Sequence, residues 1–142
     1  MIIQNLNSRK EETIKLIQEV FQEYWPEADE AWFKDQLNMV NIDISLGILV
    51  EDKLVAVYLL KEENYPGING CGLHGEALAV KQEYRGQRMP LAFFTYIKEN
   101  YQHDYLWGTA SKKLNNLSFW LKYRTLLRED ESRYYTLQYL NS

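Results

Sequence analysis

The chain has 142 residues, 46% of them hydrophobic and 25% charged, with a formal net charge of −4. That length and balance fit one soluble globular domain over residues 1–142, with enough apolar material for a core. No apolar run approaches the ~20 residues needed to cross a bilayer, which argues against a membrane partner. A single cysteine, Cys71, excludes an intramolecular disulfide, and Met1 to Asn5 lack the pattern of a secretory leader, so a cytoplasmic protein is expected. Charge is unevenly spread: residues 1–80 carry 14 acidic against 6 basic side chains, and residues 81–128 carry 9 basic against 3 acidic. A locally positive half attracts phosphorylated ligands, although solvated helix faces collect like charges too. The acidic remainder, and the lack of interleaved aromatic and basic residues, argue against nucleic acid.

Residues 2–4 can form a first strand. Ser8 and Glu11 have the spacing of a capping box, and Ile14, Ile17, Val20, Phe21 and Tyr24 follow at helical intervals until Pro26 stops the helix. A second helix is expected to start near Asp29 and to bury Phe33, Leu37 and Val40. Apolar runs over 46–50 and 54–60, separated by Glu51, Asp52 and Lys53, read as a β-hairpin. A polar loop rich in Gly and Asn leads to a strand ending at Val80. A tight turn then feeds a helix whose buried face holds Leu91, Phe94, Ile97 and Tyr101. A strand over 105–110, a short helix over 116–123 and a Tyr-rich strand over 133–140 complete the order β-α-α-β-β-β-α-β-α-β.

The segment from Leu78 to Pro90 is the most informative. A strand that ends in a turn and feeds a helix leaves several backbone N–H groups converging at the positive end of the helix dipole, which suits a phosphate. Gly86 lets an anion approach the backbone. Arg88 brings a long cation, and Pro90 lacks an N–H but is well tolerated in a first turn. Leu78, Val80, Glu83, Tyr84, Arg85 and Gly86 resemble the pyrophosphate loop of the GNAT superfamily of N-acetyltransferases, with Arg88 and Pro90 replacing two small residues. Asn115, Asn116, Ser118, Phe119, Trp120 and Lys122 resemble the family's second motif.

The resemblance implies an α/β (α+β) GNAT fold, with a central mixed, strongly twisted sheet of six to seven strands flanked by four helices. It implies acetyl-CoA as co-substrate, no metal, and transfer of acetyl to a primary amine on a small molecule or a protein. Coenzyme A would bind along Leu78, Ala79 and Val80, over Arg85, Gly86, Gln87, Arg88, Met89 and Pro90, and near Asn115. Relatives carry a base on the strand before the loop, where Glu76 and His74 stand; His74, Glu76, Leu78 and Val80 would share one face. His74 has the better intrinsic pKa, while Glu76 would need raising by burial. Trp120 replaces the family's usual Tyr acid, and Tyr123, one helical turn away, could substitute. A degenerate GNAT-fold protein, binding coenzyme A or a protein partner without turnover, is the alternative. Acidic residues around Pro26 (Glu19, Glu23, Glu27, Asp29, Glu30 and Asp35) suggest a cationic amine. Tyr134, Tyr135 and Tyr139 would line a substrate pocket or a homodimer seam, or pack an edge strand.

Overall fold

The computed structural model describes residues 1–140. Its elements are β1 (Ile2–Asn5), α1 (Lys10–Phe21), α2 (Glu30–Asn38), β2 (Leu46–Val50), β3 (Lys53–Glu62), β4 (Gly72–Val80), α3 (Met89–Asn100), β5 (Tyr105–Ser111), α4 (Leu117–Trp120), β6 (Thr125–Glu129) and β7 (Arg133–Tyr139). The strands form one sheet in the order β1-β2-β3-β4-β5-β7-β6. Neighbours are antiparallel except β4 and β5, which run parallel. This is the mixed α/β architecture expected from the sequence. One core layer packs Ile14, Ile17, Phe33 and Leu37 of α1 and α2 on Leu49, Leu54, Val57 and Leu59. The other packs Met89, Phe93, Phe94 and Ile97 of α3, with Trp120 of α4, on Ile48, Tyr58, Leu60 and Leu106.

Local chemistry decides where the elements begin and end. Asp29 accepts the Trp32 N–H at 2.9 Å and caps α2, as its position implies. The capping box of α1 does not form. Its N-cap is Arg9, which makes no side-chain cap, and the guanidinium turns to Glu12 and Asp52 instead. The same helix ends at Phe21, well before Pro26, and the Gln22 side chain binds the carbonyls of Trp25 and Ala28. The β2–β3 turn is two residues long, with Glu51 and Asp52 at φ 52° and 62°. In α3 the buried stripe runs through Met89, Phe93, Phe94 and Ile97, so Leu91 faces outward at 37% exposure, and Tyr101 lies just past the helix.

Two features escaped the sequence. β6 is an extra, largely exposed edge strand, and its presence makes β7 an interior strand, so its tyrosines do not pack an edge. The second is a bulge in β4. Leu59 pairs with Ala77 but Leu60 with Gly75, leaving Glu76 as the additional residue. A bulge reverses side-chain parity. Leu73 therefore joins Leu78 and Val80 on the α3 face, and Ala77 and Ala79 pack on the α1–α2 face. His74 and Glu76 lie on the face opposite Leu78 and Val80, not beside them.

Candidate active site

The parallel pairing of β4 with β5 runs from Gly72–Tyr105 to Gly75–Gly108 and stops there. Beyond that rung the strands diverge, and a cleft of about 340 Å³ opens between them. Glu76, Ala77 and Leu78 line one side and Thr109, Ala110 and Ser111 the other, while the α1–α2 side adds Ile17, Phe21, Trp25, Trp32, Phe33 and Met39. Backbone groups on the diverging edges are free of ladder partners and face whatever enters.

Both strands carry glycine at the last rung, and each vacancy is filled. A Cβ on Gly75 would collide with the Tyr58 ring and hydroxyl, and one on Gly108 would lie 2.6 Å from Arg124 Nη1. Arg124 Nη2 donates to the Tyr58 hydroxyl at 2.5 Å, so the fork of the sheet is plugged by a phenol–guanidinium pair. The guanidinium also lies over the Trp120 ring at 4.5 Å and the Phe94 ring at 5.3 Å. Tyr58, Trp120, Arg124 and Asn116 all line the cleft.

The turn after β4 has the geometry its sequence implies. Gly86 takes φ 83° and Arg88, the N-cap of α3, takes φ 61° without a side-chain cap. Met89 is buried as the first helical residue, and Pro90 follows it in the first turn. Arg85, Gly86, Gln87 and Arg88 are exposed. Arg85 Nε donates to the Val80 carbonyl at 3.2 Å, which ties the turn back to the strand end.

Glu76 and His74 are brought together, on the α1–α2 face. His74 Nδ1 lies 3.3 Å from Glu76 Oε1 and 3.4 Å from Glu63 Oε2, too poorly aligned for a formed hydrogen bond. The imidazole is 4% exposed and stacks on Trp107 at 3.8 Å. It stands behind Glu76 rather than in the cleft wall. Glu76 is not raised by burial, as sequence reasoning required. The His74 imidazole beside it is the largest influence, and together with Lys61, 3.0 Å away, it overcomes burial and holds the carboxyl down to about 2.

The second motif is only partly brought to the cleft. Asn115 is exposed at φ 50°, and it is Asn116 that lines the wall. Tyr123 packs against Phe94 and Phe119 on the α3 side, outside the cleft lining. Tyr134 and Tyr135 likewise sit outside it, against Lys112 and Arg128, and Tyr139 is exposed. Of the acidic residues around Pro26 none lines the main cleft; its charged lining is Glu76 with Lys113, Arg124 and Arg133. Sequence reasoning assigned no role to Arg124 or to Tyr58.

No family model and no curated sequence matches the chain. Among solved structures, an aminoglycoside 6′-N-acetyltransferase complexed with coenzyme A superposes at a TM-score of 0.75 and 14% identity, covering 100% of this chain and 98% of that one. A PaiA N-acetyltransferase from Thermoplasma acidophilum, in complex with coenzyme A, gives 0.73 and 17% over 97% and 98%. A GNAT-family acetyltransferase from Streptococcus agalactiae gives 0.73 and 12% over 97% and 94%. At these identities the likeness is one of fold. This chain has the GNAT acetyltransferase fold.

Proposed function

We propose that the protein is an N-acetyltransferase that moves acetyl from acetyl-CoA to a primary amine by direct attack on the thioester. The carrying observation is the fork: the parallel pair of β4 and β5 stops at Gly75–Gly108 and opens a cleft along residues 76–78 of the strand that leads to the α3 turn. The residues present fit coenzyme A. An extended arm can take the β5-facing backbone edge of residues 76–80, and a pyrophosphate can take the N–H groups of residues 86–89, with Arg85 and Arg88 beside it.

In the proposed reaction the amine nitrogen bonds to the thioester carbonyl carbon, the C–S bond breaks, and coenzyme A leaves as a thiolate. One proton must leave the nitrogen and one must reach the sulfur. Glu76, ionised at neutrality beside His74 and Lys61, accepts the proton from the amine nitrogen as the C–N bond forms and releases it to solvent. Tyr58 accepts a hydrogen bond from Arg124 and so keeps its own proton for the departing sulfur. Tyr123, packed against Phe94, would need to move to serve that role. Its position favours the second reading, a fold that binds coenzyme A without turnover.

Titration calorimetry with acetyl-CoA, and thiol release over a panel of amines, separate these readings. Acetyl-CoA is expected to bind, and Arg85→Glu to weaken it roughly tenfold by repelling phosphate, an effect of about 1.4 kcal/mol. Glu76→Gln and Tyr58→Phe should lower turnover with little change in acetyl-CoA affinity. Binding without thiol release selects the non-catalytic reading, and no binding at millimolar acetyl-CoA removes both.

A further inference from the structure

We propose that the fork receives a carboxylate carried by one of the two substrates, with Arg124 as its counter-ion. The inference rests on the acetyltransferase reading and specifies the substrate chemistry of the same cleft. Arg124 is 7% exposed, and its guanidinium touches a neutral phenol and two aromatic faces. No acidic side chain among the described residues forms an ion pair with it, and its Nε has no hydrogen-bond partner. Arginine remains protonated wherever it is placed. Burying that charge without an anion is costly, and cation–π contacts offset only part of the cost. A planar guanidinium with free N–H groups facing a cleft matches a carboxylate, which can accept two of them.

The remaining lining narrows the ligand further. The cleft lining holds one carboxylate, Glu76, against three cationic side chains, Lys113, Arg124 and Arg133, so it disfavours a polycation. Asn116 Oδ1 is buried without a partner in the same wall, a second polar atom left for a ligand. Ile17, Phe21, Trp25 and Phe33 make the α1–α2 wall apolar and aromatic. The ligand implied is a carboxylate on an apolar or aromatic body. Two sources share that chemistry: an amine acceptor that is an amino acid, or an acyl donor ending in a carboxylate.

The test uses the full chain and two matched pairs, phenylalanine against phenylalaninamide as acceptors and succinyl-CoA against acetyl-CoA as donors. Calorimetry measures the acceptors on protein saturated with coenzyme A, and the donors on protein alone, so binding is read without turnover. Failure to bind coenzyme A at all counts against the acetyltransferase reading and this inference together. With coenzyme A bound, the carboxylate member of one pair should bind at least tenfold more tightly, and the pair that shows it identifies the source. Arg124→Gln should erase that preference, and Arg124→Lys, which keeps the charge but not the planar donor pair, should retain part of it. Equal affinities within both pairs in the unmodified protein overturn the proposal, whatever the fate of the variants. So does a preference that survives Arg124→Gln, or a loss in that variant that is equal for both members of each pair, which would assign Arg124 to the thiolate.

Discussion

Glu76 lies among groups that favour its ionised form: His74 facing the carboxylate, and Lys61 3.0 Å from the same oxygen. Its folded pKa of about 2 stands below the ordinary 4.5, so its ionisation stabilises the fold above that ordinary value and ceases to as pH falls toward 2. Urea unfolding at a series of pH values should show Glu76→Gln less stable than the parent at neutrality, with the gap closing across that window. A gap that persists unchanged to pH 2 would mean that the ionised carboxylate is not what the fold uses. The pair itself was legible in the sequence, because both residues stand on the strand before the loop. The lowering of the Glu76 carboxyl was not, since Lys61 reaches it from a neighbouring strand and the alternation of β4 is broken at Glu76 itself. Arg124 was hidden for a similar reason. Its role depends on Gly75, Gly108 and Tyr58, three residues far apart in sequence that meet only at the fork.

Elements were read well where a local rule acts alone. Asp29 caps α2 through its own side chain, and the hairpin of β2 and β3 follows from two apolar runs and a polar turn. The start of α1 was misread because Arg9 has stronger partners in Glu12 and Asp52 than Ser8 has in the first turn. β6 gave no signal because an exposed edge strand buries almost nothing, and no apolar alternation marks it. These contrasts predict a paired result. Asp29→Ala should cost about 1 kcal/mol, the usual worth of an N-cap, whereas Ser8→Ala should fall within about 0.5 kcal/mol of the parent. Chemical denaturation of both variants decides it, and a larger loss at Ser8 than at Asp29 would contradict the cap assignments.

At the scale of the whole molecule the sheet consists of two blocks, β1 to β4 and β5 to β7, joined through four parallel rungs from Gly72–Tyr105 to Gly75–Gly108. The seam carries a backbone clasp at one end. Asp104 accepts the Cys71 N–H through its side chain at 2.7 Å and gives its own N–H to the Cys71 carbonyl at 2.9 Å, while its carbonyl accepts from Leu140. At the other end lies the fork, held by the Tyr58–Arg124 side-chain bond. A sheet fastened more firmly at the Asp104 end would hinge about that residue, with the rungs nearest the fork carrying the largest leverage. Their amide hydrogens should exchange with solvent sooner than those of β3, which is laddered on both edges. A ligand wedged between the blocks would bond to both and hold the hinge at one angle. Hydrogen exchange at residues 74–76 and 107–109 is therefore expected to slow when acetyl-CoA is added, while exchange in β1 and β2 stays the same. Protection spread evenly over the sheet would instead describe a rigid body that coenzyme A merely coats.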